Sequence, residues 1–405
     1  MNVLMVTSSY PKFPGDVTAP FVESIARGVA ERGHAVDVVL PHHPDLRRDG
    51  AEPVRFFPYR YAPREEWNLW GYAQSLRADV RVRAGVYLLA PLVIGALRAA
   101  VSERLRERRY DVVHAHWVVP NAALIVDIVR AHRVPLVVSL HGSDVFLAER
   151  LAPARALARR ALRGAGAVTA CSDDLRARGL RLGSVPERTR TVPYGVDTAA
   201  FSPERAFAGA GPRAGFGAPE GAMRVVAMGR LVEKKGFATL VEAAARVSGI
   251  HVVIIGDGDL RAQLERRARE LASPVTFVGA LERADAATAL AAADVMAVPS
   301  VVDRAGNVDG LPNAMLEGLA SGRAVVASRV GGIPDVVEDG VNGLLVPPGD
   351  AAALAEALRR LAAEPETRER LGREARRRAQ DRMSWRSAAR AFEESYVQAA
   401  ALDAR

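Results

Sequence analysis

Eight glycines and prolines crowd residues 201–222: Pro203, Gly209, Gly211, Pro212, Gly215, Gly217, Pro219 and Gly221. So many breakers cannot continue a strand or a helix, so the segment divides the chain. Each side of it then has to bury a core of its own, which suits a length of 405 residues, more than one core usually holds. Before the divide, strands are expected at 2–7, 35–39, 111–113, 136–140 and 167–170, with a helix at 21–31. After it, strands are expected at 224–228, 251–255, 275–277, 294–297 and 324–327, with helices at 237–247, 260–271 and 312–320. Strand against helix, twice over, implies an α/β chain with two doubly wound parallel sheets. The expected domains are 1–200 and 223–384, joined by the 201–222 linker, with a last helix at about 385–405.

Charge narrows the function classes. The net charge is +8, but its arginines are spread along helices rather than gathered with interleaved aromatics, which argues against a nucleic-acid partner. Cys171 is the one cysteine, so no disulfide can form within the chain; it reads as a small buried residue in a reducing, cytoplasmic setting. Residues 1–6 read as a first strand rather than a signal peptide. Among many arginines there are three lysines, Lys12, Lys234 and Lys235, and two share one loop. A compact point charge is what a phosphate contact there would use.

Open parallel sheets bind ligands beyond the carboxyl ends of their strands, so the loops after strands carry the functional weight. Residues 8–16, including Gly15 and Asp16, form a long loop where a nicotinamide enzyme would have a tight Gly-rich turn. His141-Gly142-Ser143-Asp144 follows the strand at 136–140, with His141 placed to face a ligand. In Gly229-Arg230-Leu231-Val232-Glu233-Lys234-Lys235-Gly236, Arg230 offers a planar fork and Lys235 a point charge, together able to neutralise a diphosphate. Finally, Asp309-Gly310-Leu311-Pro312-Asn313 leads into a helix carrying Glu317. A helix opening near Pro312 leaves the Gly310 and Leu311 backbone to face an anion, with Glu317 a turn and a half inside.

Gly-Arg-(x4)-Lys-Gly, then Gly256-Asp257-Gly258, then Asp309-(x7)-Glu317 around Gly-Leu-Pro-Asn, in that order, resembles the retaining glycosyltransferases of family four. Gly15, Arg32-Gly33-His34, the His141-Gly142 pair and Met383-Ser384-Trp385 resemble the same family. The resemblance implies a GT-B architecture: two Rossmann-like doubly wound domains facing a central cleft, with the last helix crossing back to the first. It implies transfer of a sugar from a nucleotide diphosphate sugar, a UDP-sugar ahead of GDP-mannose, to a saccharide, lipid-linked or small-molecule hydroxyl. By the same resemblance Arg230 and Lys235 grip the diphosphate, Glu317 takes the ribose hydroxyls, and Asp309 contacts the donor sugar. Gly310 and Leu311, with Pro312 and Asn313 beside them, lie against the phosphates. Gly279, Ala280 and Leu281 border the base, Gly15 and Asp16 approach the diphosphate, and His141 lies near the reacting centre. Asp309 departs from the family's more usual glutamate by one methylene, which leaves its catalytic weight open.

No resident cofactor or metal is implied. His114, His116 and His141 could be read as a three-histidine metal cluster, but no further ligand spacing completes it. Apolar residues 86–97, flanked by Arg81, Arg83, Arg98, Arg104, Arg106, Arg108 and Arg109, are too short to span a bilayer; they suit a core helix or peripheral contact with the inner face of a membrane. Aromatics at 56, 57, 59, 61, 67, 70 and 72 are candidates to line an acceptor cleft or simply to pack against it. The rival readings are a GT-B sugar-nucleotide epimerase and a nucleotide-sugar-binding scaffold without catalysis.

Overall fold

The computed structural model describes the chain apart from residues 17, 49–52, 65, 66, 69, 73–75, 78–80, 83, 207–216 and 404–405. The described residues form two units, Met1–Pro193 with Trp385–Arg405, and Tyr194–Ser384.

The first unit runs β1 (Asn2–Val6), α1 (Pro20–Glu31), β2 (Ala35–Pro41), β3 (Val54–Tyr59), a short antiparallel pair β4 (Leu76–Arg77) and β5 (Arg81–Val82), α2 (Ala84–Glu107) and β6 (Val112–His116). It continues through α3 (Ala123–Ala131), β7 (Leu136–Leu140), α4 (Ser143–Arg150), α5 (Ala152–Gly164), β8 (Ala167–Ala170), α6 (Asp173–Leu182) and β9 (Thr189–Thr191). Seven strands pair in the order β3-β2-β1-β6-β7-β8-β9, all parallel. Strands such as β6 and β7 are buried along their whole length, because helices cover both faces of a parallel sheet. The order reverses between β1 and β6, so the loops after these two strands part there.

The second unit repeats the plan with β10 (Met223–Met228), α7 (Phe237–Ala244), β11 (Ile250–Ile255), α8 (Arg261–Glu270), β12 (Val275–Gly279), α9 (Arg283–Ala292) and β13 (Val295–Val298). It is completed by α10 (Asn313–Ala320), β14 (Ala324–Ser328), β15 (Gly343–Val346), α11 (Ala351–Ala363) and α12 (Pro365–Arg382). Its six parallel strands lie in the order β12-β11-β10-β13-β14-β15, with the reversal between β10 and β13. Val225, Val252, Ile254, Val295 and Val326 form the centre of its core.

Two expectations change. The division falls at Pro193 and Tyr194, ahead of the breaker-rich segment, because residues 194–201 pack with the second unit: the Val196 N–H donates to the Met383 carbonyl, and Arg376 donates to the carbonyls of Thr198 and Phe201. Residues 207–216 of the expected linker lie outside the described residues. Strand β3, hidden by Pro58, is an edge strand, where a missing N–H is tolerated. Of the two readings of its aromatics, packing is visible: Phe56 meets Tyr10 edge to face at 5.2 Å, and the Arg104 guanidinium sits 4.3 Å over Phe57. Tyr59, Tyr61 and Tyr72 are buried, while Trp67 is exposed.

The apolar stretch at 86–97 is helical within α2. Val93, Leu97, Val101 and Leu105, four apart, form its buried row, while Leu88 and Leu92 face solvent. Among the described residues no helix is long and apolar enough to cross a membrane.

The last helix, α13 (Trp385–Asp403), belongs to the first unit. Phe392, Tyr396 and Ala399 enter that unit's core, and a Cβ on Gly166 would stand 2.9 Å from Ala399, so the helix seats directly on backbone. Arg32 and His34 both bind Glu393, and the buried Tyr396 hydroxyl meets His114 Nδ1 at 2.8 Å. Phe392→Ala is expected to cost about 3–5 kcal/mol, read as a lowered Tm in thermal unfolding.

Candidate functional site

In the second unit, the loops after β10 and β13 flank the point of strand reversal, and Arg230, Lys235 and Asp309 lie on them. Glycines let the neighbouring loops close on one another. Gly256, at φ +138°, leaves no room for a side chain, since a Cβ there would stand 2.0 Å from the Gly229 carbonyl oxygen. Gly229 opens a track for a cation: the Lys235 Cε lies 3.2 Å from where a Cβ on Gly229 would be. Along that track Lys235 reaches Asp309, Nζ to Oδ2 at 2.7 Å.

Both partners are largely buried, at 18% and 13% side-chain exposure, so this pair is shielded as a surface ion pair is not. Burial alone would raise the Asp309 pKa, but Lys235, Lys234 and Arg230 together hold it below the usual carboxylate value. Ser300 Oγ is a weaker neighbour of the same carboxylate at 3.5 Å. Arg230 itself is exposed.

Helix α10 begins at Asn313 with Pro312 as its N-cap and no side-chain cap, so the first N–H groups of the helix have no side-chain acceptor. Gly310 and Leu311 are buried just before it, and the Asn313 Oδ1 is buried without a partner. Inside the helix the Glu317 carbonyl accepts from the Ser321 N–H, while its side-chain carboxyl makes no hydrogen bond or ion pair among the described residues. Burial pushes its pKa up to about 7, with Arg283 and Lys235 pulling it partly back. Gly279 ends β12 and Ala280 and Leu281 follow it, two strands from the reversal and partly exposed.

In the first unit Gly15 sits at φ +93° with open space where a side chain would be. Asp16 holds its own loop, accepting from the N–H groups of Lys12 and Thr18 and from the Thr18 hydroxyl. His141 follows β7, its Nε2 3.0 Å from His116 Nδ1, with its ring against Phe21 and Trp117. Burial drives both imidazoles down, His116 to about 3 and His141 well below its ordinary value, so both are neutral at physiological pH. Asp144 accepts from the N–H groups of Val118, His141 and Gly142 and so ties the loops after β6 and β7 together; burial raises its pKa to about 6 against those bonds.

The three histidines do meet, but ring against ring, His116 stacked on His141 and tilted against His114, and His114 has its nitrogens on Tyr396 and Ser139. Among the described residues no three His, Cys, Asp or Glu side chains are grouped to hold a metal ion.

Residues 19–200 match the family model described as Glycosyltransferase Family 4, and residues 222–364 match that of Glycosyl transferases group 1. Over 369 residues the chain is 30% identical to the GDP-mannose-dependent alpha-(1-6)-phosphatidylinositol monomannoside mannosyltransferase of Mycobacterium tuberculosis, with 89% of each covered. The chain belongs to glycosyltransferase family 4. A shorter match joins this family-4 chain to the lipopolysaccharide core biosynthesis glycosyltransferase LpsE of Rhizobium meliloti, 39% identical over 161 residues. That match takes in 39% of the chain and 45% of LpsE, so the chain spans under half the length of that relative. By fold the chain is similar to sucrose-phosphate synthase from Thermosynechococcus elongatus, at TM-score 0.80 and 22% identity with 99% of each chain covered. The fold is GT-B.

Within the second unit of this family-4 protein, Lys235 and Asp309 are in contact, and Arg230 and Glu317 lie within their electrostatic reach. Gly15, Asp16 and His141 lie at the strand ends of the first unit. Sequence inspection passes over Arg283 and Ser300, because neither sits in a motif: an arginine opening a helix and a serine after a strand carry no local signal.

A carboxyl with a raised folded pKa holds its proton more tightly in the folded chain than in the unfolded one. For Glu317 stability therefore falls as pH climbs from 4.5 through about 7. Glu317→Gln is expected to raise Tm at about pH 8 and to leave it unchanged at about pH 4, measured by calorimetry.

Proposed function

We propose that this protein is a retaining glycosyltransferase that moves a sugar from a nucleoside diphosphate sugar to an acceptor hydroxyl, with no resident cofactor or metal. The observation that carries this is the second-unit cluster: cations from the loop after β10 against Asp309 from the loop after β13, beside an uncapped helix start and the buried Glu317 carboxyl, which has no direct ion pair among the described residues. Diphosphate placed there meets Arg230, Lys235 and the backbone around Gly310 and Leu311, while Glu317 takes the ribose hydroxyls and the base rests near Gly279, Ala280 and Leu281.

In the reaction, the bond from the anomeric carbon to the diphosphate oxygen breaks and negative charge grows on the leaving phosphate. Arg230, Lys235 and the start of α10 stabilise that charge. The acceptor hydroxyl attacks from the same face and passes its proton to the departing phosphate oxygen, so the configuration is kept. Asp309 is placed on the hydroxyls of the sugar rather than as a covalent nucleophile, because Lys235 already holds its carboxylate. His141, neutral through burial, is assigned as a hydrogen-bonding group for the sugar, and Gly15 and Asp16 as its loop partners.

One relative aligned over most of its length is named for GDP-mannose, which moves GDP-mannose ahead of the UDP-sugars that the sequence resemblance put first. The same name, with Leu88 and Leu92 exposed on α2, favours a lipid-linked saccharide acceptor reached by peripheral contact with the cytoplasmic membrane face.

A thermal-shift screen against UDP, GDP, ADP, TDP and their sugar conjugates tests the donor site. At about 100 times Kd a cognate nucleotide adds about 2.7 kcal/mol of stability. Lys235→Ala and Glu317→Ala are each expected to abolish most of that gain. No shift with any nucleotide in folded protein would refute the reading. Sugar transfer is expected to persist undiminished in EDTA, assayed by nucleoside diphosphate release dependent on acceptor.

A further inference from the structure

Lys235 is expected to grip phosphate, yet its Nζ is 2.7 Å from the Asp309 carboxylate. The pair is built rather than incidental. Gly229 clears the path of the lysine stem, and a Cβ on Gly331 would stand 2.3 Å from the Asp309 carbonyl oxygen, so a second loop backs the aspartate. A free nucleoside diphosphate that takes Lys235 therefore strips a largely buried carboxylate of its main partner. An orphaned buried charge is costly, and more so than an unmade neutral hydrogen bond.

We infer that Asp309 is a specificity-determining placeholder: it occupies Lys235 until donor binds, then turns to the hydroxyls of the donor sugar, so that the intact nucleotide sugar is bound in preference to the nucleoside diphosphate that remains after transfer. This inference rests on the donor site proposed above. A sugar hydroxyl donates to the freed carboxylate and replaces the lysine; the bare nucleotide has no such donor to offer. While the pair is made, Lys235 with Lys234 and Arg230 holds the carboxylate below its usual value against the effect of burial.

Isothermal titration of the full chain with UDP and GDP, and with their glucose, galactose, N-acetylglucosamine and mannose conjugates, tests this in wild type and Asp309→Asn. Asp309→Ser serves as a second variant should the amide unfold the protein. The variant is expected to bind the free nucleoside diphosphate about fivefold more tightly, and the preference for the conjugate over the free nucleotide is expected to fall about tenfold. In a Lys235→Gln background the substitution at 309 should bring no such gain, because there is no cation left to release. Equal weakening of both ligands, or an unchanged ratio in the folded variant, overturns the placeholder role while leaving the donor site standing. Wild-type protein that binds none of these nucleotides overturns both.

Discussion

Parallel pairing of β10 with β13, across a gap in chain order filled by β11 and β12 on the other side, is the constraint from which the second unit's chemistry follows. Connections leaving these two strands turn to opposite sides, so the space above their carboxyl ends stays unfilled by the chain itself. The residues there are unlike those of the core: an arginine and two lysines from one side, an aspartate and a helix start from the other. Sheet hydrogen bonding, which is indifferent to side-chain identity, thereby decides which charges meet.

Those charges do not share one fate on burial. Asp309 and Glu317 lie eight residues apart and both are withdrawn from water, yet one is held ionised by Lys235 while the other is pushed toward its neutral form. Distance to a cation decides between them, because the cost of desolvation is similar for two carboxyls. A site that keeps one acid paired and another unpaired is less stable than it could be, which is the common condition of binding sites before ligand arrives. In the first unit a different solution appears: Asp144 is satisfied by backbone N–H groups, and the histidines are kept neutral by burial.

Local sequence carried much of the architecture. Apolar runs of four to six residues separated by amphipathic stretches were legible as parallel strands and helices, since period and breaker placement are properties of short segments. Edge strand β3 was not legible, because Pro58 is forbidden in a central strand and tolerated only where one side of the strand is unpaired, a fact that depends on neighbours. The boundary at Pro193 was likewise hidden: Tyr194 to Phe201 join the second unit through bonds to Met383 and Arg376, nearly two hundred residues away.

Gly-Arg-(x4)-Lys-Gly and Asp-(x7)-Glu, in order, were sufficient to point to the family and to nominate Arg230, Lys235, Asp309 and Glu317, because spacing along one loop or one helix is a local quantity. What tertiary structure alone decided was that Lys235 spends its charge on Asp309, that Arg283 rather than a motif residue is the first counter-charge to Glu317, and that Arg32 and His34 anchor α13 through Glu393. The physical reason is the same in each case: Coulomb energy and desolvation depend on separation in space and on the water excluded between groups, and neither is written in the order of residues along a chain.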